Sequence, residues 1–182
     1  MLKTRPGARL SSSSTTQGYN APVTRSLGPE LPETLRQMLD GADLANREGL
    51  TFLLLTTDEA DWPQVAMLSV GEIVAMDPGT LRAGLWLSSG SSKNLTRSER
   101  ATLVVIANGN GYYVRVKSQR GPDLDLGADG RLAYFVLRIE DVQEDSADYA
   151  QLTSGVTFKL KSPEQVVPRW QHTVDALRAA AA

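Results

Sequence analysis

The chain has 182 residues, of which 41% are apolar and 22% charged, with no cysteine and a single histidine, His172. That length suits one domain, and the composition excludes disulfides, cysteine-ligated zinc, thiol catalysis and a histidine-rich metal site, so no metal is expected. The chain has 19 Lys and Arg against 21 Asp and Glu, and the lack of a basic excess argues against nucleic-acid binding. No apolar run reaches the roughly 18 residues that cross a bilayer. We therefore expect a cytoplasmic protein without nucleic-acid or membrane partners.

The N-terminal residues differ in composition from the rest of the chain. Residues 1–28 carry four basic side chains, no acidic one, and a run of serine and threonine over residues 11–16. Such a stretch lacks the branched apolar residues that would offset the entropy lost on ordering. We therefore predict a disordered basic tail over residues 1–28 and a single folded domain over residues 29–182. A targeting or partner-binding arm is the alternative for the tail.

The domain begins with a predicted short helix. Leu31, Leu35, Met38 and Leu39 follow the spacing of one helical face, and Gly41 is a suitable stop. The pattern predicts an amphipathic helix that packs on whatever follows.

A series of short apolar runs then predicts strands. These runs are Leu50–Thr57, Gln64–Ala75 with a break at Gly71, Leu81–Leu87, Ala101–Ala107, Tyr112–Lys117, Leu132–Val142 and Val156–Leu160. The sequence Asn-Gly-Asn-Gly at residues 108–111 is typical of a hairpin turn. Strands at such close spacing, with few helices between them, favour an antiparallel barrel or sandwich over βαβ units.

Two further helices are predicted. One lies near Ser91–Arg100, between two strands. The other closes the chain, where Val166, Trp170, Val174 and Leu177 share a face. Residues 162–165 (Ser-Pro-Glu-Gln) resemble a capping box, but Pro168 interrupts early, so we expect the regular helix to begin there.

The segment LWLSSGSSKNL, Leu85–Leu95, carries the clearest chemical signal. A strand ends and a serine-rich turn opens a helix, where free N–H groups and the helix dipole favour an anion. Gly90 permits an anion to approach the backbone closely, and Lys93 supplies a positive charge. Without a bound anion, that charge would oppose the helix dipole. From these residues alone, an anion site and a capped serine turn with a solvated lysine both remain open.

Three segments in order carry a family resemblance. They are the strand–turn–strand unit Thr51–Ser69 with its turn proline, the S-S-K-N-L element Ser91–Leu95, and the segment Leu132–Asp145 ending in V-Q-E-D. With them the chain resembles the FMN-binding split barrels related to pyridoxamine 5′-phosphate oxidase, from Leu31 to Leu177. The resemblance implies a mainly β fold, a six-stranded antiparallel split barrel with peripheral helices.

The same resemblance implies a cofactor and a partner. It implies a homodimer with FMN at the interface, in which Met67 and Leu68 line the flavin ring. The phosphate would be held by Ser88, Ser91, Ser92 and Lys93. The implied function is that of an FMN-dependent oxidoreductase in which the flavin supplies the redox chemistry, and the pattern assigns no substrate and no catalytic residue.

The chain departs from the oxidase at several positions. Ala66 and Ser92 stand where the oxidase has phosphate-binding arginines, and Trp62 replaces the turn glycine. The C-terminal R-x-H element is not reproduced, because Arg169 and His172 stand three residues apart. An oxidase of vitamin B6 is therefore not expected.

These departures leave alternatives open. Arg82, Arg115 or a residue of a partner chain could replace the missing cations. The barrel could be a non-catalytic module that holds deazaflavin, haem or another anionic ligand, or an interaction protein without a ligand. Trp170 could belong to the core or cover a flavin face, and His172 could lie on the helix surface or contact a substrate.

Overall fold

Residues 23–181 are described by a computed structural model of the chain, and nine strands within them belong to one antiparallel sheet. In chain order the elements are β1 (Val23–Ser26), α1 (Glu33–Met38), β2 (Phe52–Thr57), β3 (Pro63–Leu68), β4 (Ile73–Asp77), β5 (Thr80–Trp86), α2 (Gly90–Ser98), β6 (Arg100–Ala107), β7 (Asn110–Arg120), β8 (Leu124–Asp125), β9 (Arg131–Ser146) and α3 (Pro163–Ala179). Among residues 23–181, no helix combines the length and the apolar character that a membrane-spanning helix needs.

The strand order shows that the sheet curls into a split barrel. The order is β3-β2-β6-β7-β9-β5-β4, and the short strands β1 and β8 pair with β9. Strands β3 and β4 stand at opposite ends of this path, yet only the turn over residues 69–72 separates them in the chain. The two end strands must therefore approach one another without pairing. The predicted antiparallel split barrel is confirmed, with nine strands rather than six: seven form the main path, and the short β1 and β8 pair with β9.

The barrel interior is filled by side chains from every second position of its strands, since successive residues of a strand point to opposite faces. Leu54 on β2, Leu103 on β6 and Val114 on β7 are fully buried. Helix α1 packs beside β6 and buries Leu35, and α3 packs against β4 and β5 and buries Leu177.

Strand β1 lies in the segment that composition assigns to the tail. It pairs with the end of β9, and Arg25 Nε donates a 2.7 Å hydrogen bond to Glu144. Thr24 Oγ1 donates a second bond of 2.9 Å to Asp145. Residues 23–26 of the predicted tail therefore pair with the sheet, while residues 1–22 lie outside the described residues.

The predicted strand Val156–Leu160 is wrong. Within it, Thr157 makes only an isolated bridge with Leu50. The segment is held instead by single hydrogen bonds, such as the 2.8 Å bond from the Leu160 amide to Glu48 Oε1. Its apolar residues alternate as in a strand, but they face a pocket rather than a neighbouring strand.

The predicted start of the last helix is also wrong. Helix α3 begins at Pro163, and Pro168 lies inside it. A proline in the first turn needs no N–H partner, and Pro168 loses only one helical hydrogen bond. The preceding Ser162 makes no side-chain capping bond, so the capping box does not form.

Candidate functional site

Serines build the turn that precedes α2. Ser89 is the N-cap residue, and its Oγ accepts a hydrogen bond from the Ser92 amide at 3.1 Å. The Ser92 hydroxyl donates to the Trp86 carbonyl at 2.8 Å. The polar groups of Ser92 are therefore already used in holding the helix start in place.

A buried amide fixes α2 against the first hairpin of the barrel. Asn94 Nδ2 donates to Thr56 Oγ1 at 3.1 Å and to Gln64 Oε1 at 2.8 Å. The Gln64 amide lies so close to Gly90 that a Cβ at that position would come within 2.3 Å of Gln64 Nε2. The missing side chain at Gly90 therefore makes room for Gln64, whereas the sequence predicts that it makes room for a ligand.

The exposed face of α2 carries two basic side chains one helical turn apart. Lys93 and Arg97 meet Arg120, from the end of β7, around a groove of about 380 Å³, which we call the basic groove. Its lining residues are Leu87, Ser92, Lys93, Thr96, Arg97, Arg120 and Ala133.

The three cations of the basic groove are held differently. Arg97 donates to the carbonyls of Thr57 at 2.5 Å and Asp58 at 2.6 Å. Arg120 is paired with Asp123. The ammonium of Lys93 has no ion-pair partner among residues 23–181. Lys93 is therefore the cation of the groove that is free to bind an anion.

A second concavity, of about 360 Å³, lies between the ends of β2 and β3, the segment before α3, and α3 itself. We call it the apolar pocket. Its lining residues are Thr51, Met67, Leu68, Ser69, Glu72, Val156, Thr157, Phe158, Leu160, Val166, Arg169 and Trp170. Trp170 is 4% exposed and packs on Gly71, where a Cβ would lie 2.1 Å from the indole.

Strand β3 contacts both α2 and the apolar pocket. Gln64, near its start, touches the first residue of α2, and Met67, three residues further on, lines the apolar pocket. Strand geometry sets these two positions about 10 Å apart along the strand. The helix that carries Lys93 and the apolar pocket are thus held by the same strand.

The structure brings together only some of the predicted phosphate residues. Ser92 and Lys93 line the basic groove. Ser91 is buried on the inner side of α2, at 3% exposure, and Ser88 is exposed in the turn. Neither of these two residues lines the groove.

The predicted ring residues lie in the other site. Met67, which is 66% exposed, and Leu68, which is buried, both line the apolar pocket, as does Trp170. His172 lies outside it on the surface of α3, where its Nδ1 is 2.9 Å from Asp129 Oδ2.

The structure also tests the replacements for the missing arginines. Arg82 donates to carbonyls at the C-terminal end of α3, and Arg115 lies on the outer face of β7, so neither lines the basic groove. Arg97 and Arg120 line the basic groove, and neither is among the residues predicted from the sequence. The i, i+4 spacing of Arg97 from Lys93 could have revealed the first, whereas nothing in the sequence points to the second.

The outer face of the sheet is unusually apolar. Neighbouring strands align Met67 with Leu53 and Val104, and Val65 with Leu55, and Val65 is 52% exposed. We call these residues, with Thr102, the outer sheet face. Beside it lies a cleft of about 500 Å³, whose lining includes Arg100, Arg115 and Glu140.

Comparisons with known proteins agree with this architecture. No family model matches the chain. The chain is 37% identical over 148 residues to YclD of Bacillus subtilis (strain 168), which is described as an uncharacterized protein. The alignment covers 81% of this chain and 96% of YclD. A solved structure from Lactobacillus delbrueckii, provisionally assigned as a pyridoxamine 5′-phosphate oxidase, aligns with a TM-score of 0.50 and 19% identity over 64% of this chain and 97% of its own. The chain therefore belongs to the same family as YclD and has the split-barrel fold of pyridoxamine 5′-phosphate oxidase-like proteins.

Proposed function

We propose that the chain binds FMN, with the phosphate at Lys93 in the basic groove and the ring against Met67 and Leu68. The observation that carries this proposal is that α2, which presents Lys93 to the basic groove, and the apolar pocket both contact β3. The charged and the apolar ends of FMN thus each meet a matching surface.

The side chains of the basic groove fit a phosphate. Within residues 23–181 the ammonium of Lys93 has no ion-pair partner, and Arg97 and Arg120 raise the local positive potential even though protein oxygens hold them. Charge-assisted bonds to phosphate are among the stronger ones in proteins. Because the hydroxyl and the amide of Ser92 are already bonded, we assign the phosphate contact to Lys93.

We further propose that a second copy of the chain covers the outer sheet face. An exposed row of apolar side chains is unusual on a monomer, and Met67 belongs both to this row and to the apolar pocket. A partner seated here would enclose the exposed side of the pocket. The homodimer would therefore shield a bound flavin from water.

As an enzyme, the protein would be a flavin-dependent oxidoreductase. The flavin supplies the electron-transfer chemistry when it is bound. The residues of this chain bind and orient it: Lys93 holds the charged end, and Met67 and Leu68 hold the ring. Trp170, fixed on Gly71, forms one wall of the pocket.

A second candidate, a binding module or interaction protein without flavin, is supported by one observation. Ala66 and Ser92 stand in place of two cations, and the Ser92 hydroxyl is bonded to the Trp86 carbonyl. A barrel that had lost its ligand would keep this helix cap.

The absorption and fluorescence spectrum of the pure chain tests the proposal, recorded before and after incubation with FMN and gel filtration. We expect a retained flavin band near one per chain. A different retained chromophore would replace FMN with deazaflavin or haem. A colourless protein that releases all FMN would favour the module without flavin.

A further inference from the structure

The cleft of about 500 Å³ beside the outer sheet face has no part in the proposed FMN contacts. We call it the outer cleft. Its lining residues come from five neighbouring strands, in the sheet order β3, β2, β6, β7 and β9. Pro63 and Leu55 give the β3 and β2 side an apolar lining, whereas Arg100 and Arg115 make the β6 and β7 side basic. The volume falls within the usual range of small-molecule sites, about 300–1,000 Å³.

Like charges lie side by side across the strands at this cleft. Arg100 on β6 is directly opposite Lys117 on β7, and Lys117 is directly opposite Arg138 on β9. Arg115 stands two residues before Lys117 on β7 and therefore points to the same face. Like charges directly opposite one another on paired strands destabilise a sheet. The arrangement thus lowers the stability of the protein unless an anion is bound to it.

The two arginines that line the outer cleft have no partner in the protein to offset this repulsion. The guanidiniums of Arg100 and Arg115 make no ion pair and no hydrogen bond within residues 23–181. The carboxylate in the lining, that of Glu140, is 2.8 Å from the ammonium of Lys117. Asp141 lies opposite Arg115 in the strand register but forms no ion pair with it. Both arginines are therefore free to bind an anion from solution.

The spacing of the arginines suits a group with several linked negative charges. Arg100 and Arg115 are diagonal neighbours on paired strands, about 7–8 Å apart, and a guanidinium can hold phosphate oxygens with two parallel hydrogen bonds. Thr57 also lines the cleft, and its hydroxyl makes no hydrogen bond in the described part of the chain. That hydroxyl can donate to or accept from a sugar.

We infer that the outer cleft binds a nucleotide through its linked phosphates. The phosphates lie at Arg100 and Arg115, the sugar at Thr57, and the base against Leu55 and Pro63. None of these residues lines the basic groove or the apolar pocket, so the inference does not rest on the proposed FMN site. The chain would then hold two different ligands at two separate places.

Calorimetric titration of the full chain in magnesium-free buffer tests this inference, with ATP, inorganic triphosphate and adenosine as the probes. We expect one ATP per chain, bound at least about tenfold more tightly than adenosine, which lacks the phosphates. Triphosphate should bind more weakly than ATP, because it lacks the base and the sugar. Arg100→Gln and Arg115→Gln should each weaken ATP binding about tenfold.

The control is Arg36→Gln, which removes the same charge from an exposed site on α1 and should leave the ATP affinity within about twofold. The inference is overturned if ATP does not bind, if adenosine binds as tightly, or if Arg36→Gln weakens ATP binding as much as the two cleft variants do. Equal affinities for triphosphate and ATP would overturn the nucleotide as the ligand.

Titration of ATP into the chain saturated with FMN separates the two sites. We expect an unchanged ATP affinity, whereas displacement of ATP by FMN would overturn the inference, since the outer cleft would then belong to the flavin. FMN binding is read separately from its absorption. A chain that binds no FMN but binds ATP through Arg100 and Arg115 would overturn the proposed function and support the nucleotide site.

Discussion

Asn94 Nδ2 donates a 3.1 Å hydrogen bond to Thr56 Oγ1, and both side chains are buried. This bond ties α2 to β2 and orients the helix face that carries Lys93. We expect Asn94→Ala to lower the free energy of unfolding by about 1–3 kcal/mol, because it leaves the Thr56 hydroxyl unpaired. Urea denaturation measures this change.

The matched control for that substitution is Asn46→Ala. The Asn46 side chain is exposed and, within the described part of the chain, bonds only to Asp43 nearby, so its removal should cost less than about 0.5 kcal/mol. Equal losses for the two variants would show that the buried amide does not anchor α2.

Lys93→Ala should weaken FMN binding by about 1–3 kcal/mol, because it removes a charge-assisted bond to the phosphate. Fluorescence titration with FMN gives the affinity, and titration with riboflavin, which lacks the phosphate, should show no such loss. Lys161→Ala, at an exposed site before α3, should not change FMN binding. An unchanged FMN affinity in Lys93→Ala would show that the phosphate does not bind in the basic groove.

Val65→Glu should convert the dimer into a monomer, because a carboxylate would be buried in the centre of the proposed interface. Light scattering on a size-exclusion column gives the mass of each species. Val23→Glu, at a site that is 59% exposed on β1, is the control and should leave the mass unchanged. A wild-type chain that runs as a monomer contradicts the proposed partner.

The attachment of β1 should weaken in acid. The Tyr112 hydroxyl and the Arg25 guanidinium donate hydrogen bonds to Glu144 and hold its pKa below the ordinary value of 4.5. A lowered pKa stabilises the fold fully above that ordinary value, and the contribution is lost as the pH falls through the pKa of the folded state.

We therefore expect the free energy of unfolding to fall as the pH drops below the ordinary carboxyl pKa of 4.5, and to fall less steeply in Glu144→Gln. Urea denaturation at a series of pH values provides the slope. Glu59→Gln, in an exposed turn, should keep the wild-type slope. Parallel slopes for Glu144→Gln and the wild type would show that Glu144 is not responsible.

The sequence predicts those elements whose signals are local. The apolar run of β2, the alternation along β5 and the Asn-Gly turn between β6 and β7 each mark their element within a few residues. The segment Val156–Leu160 has the same alternation but is not a strand. Its apolar residues line the apolar pocket. The alternation of apolar and polar residues shows which side chains avoid water, but it does not show whether a neighbouring strand or a pocket receives them.

The remainder of the structure depends on contacts between distant residues. Strand β1 has an unremarkable sequence and forms by pairing with the distant end of β9. Arg120 enters the basic groove because the path of β7 ends there. Lys93 could be assigned from its position at a helix start, whereas its neighbour from β7 could be found only from the fold.

The packing of Trp170 on Gly71 gives the chain a built-in optical reporter. Trp62 and Trp86 are 71% and 47% exposed, whereas Trp170 is 4% exposed. Emission from a tryptophan shielded from water is shifted to shorter wavelength, so the blue part of the spectrum comes from Trp170. Separation of α3 from the barrel can therefore be followed in real time, without a label, in the unmodified protein.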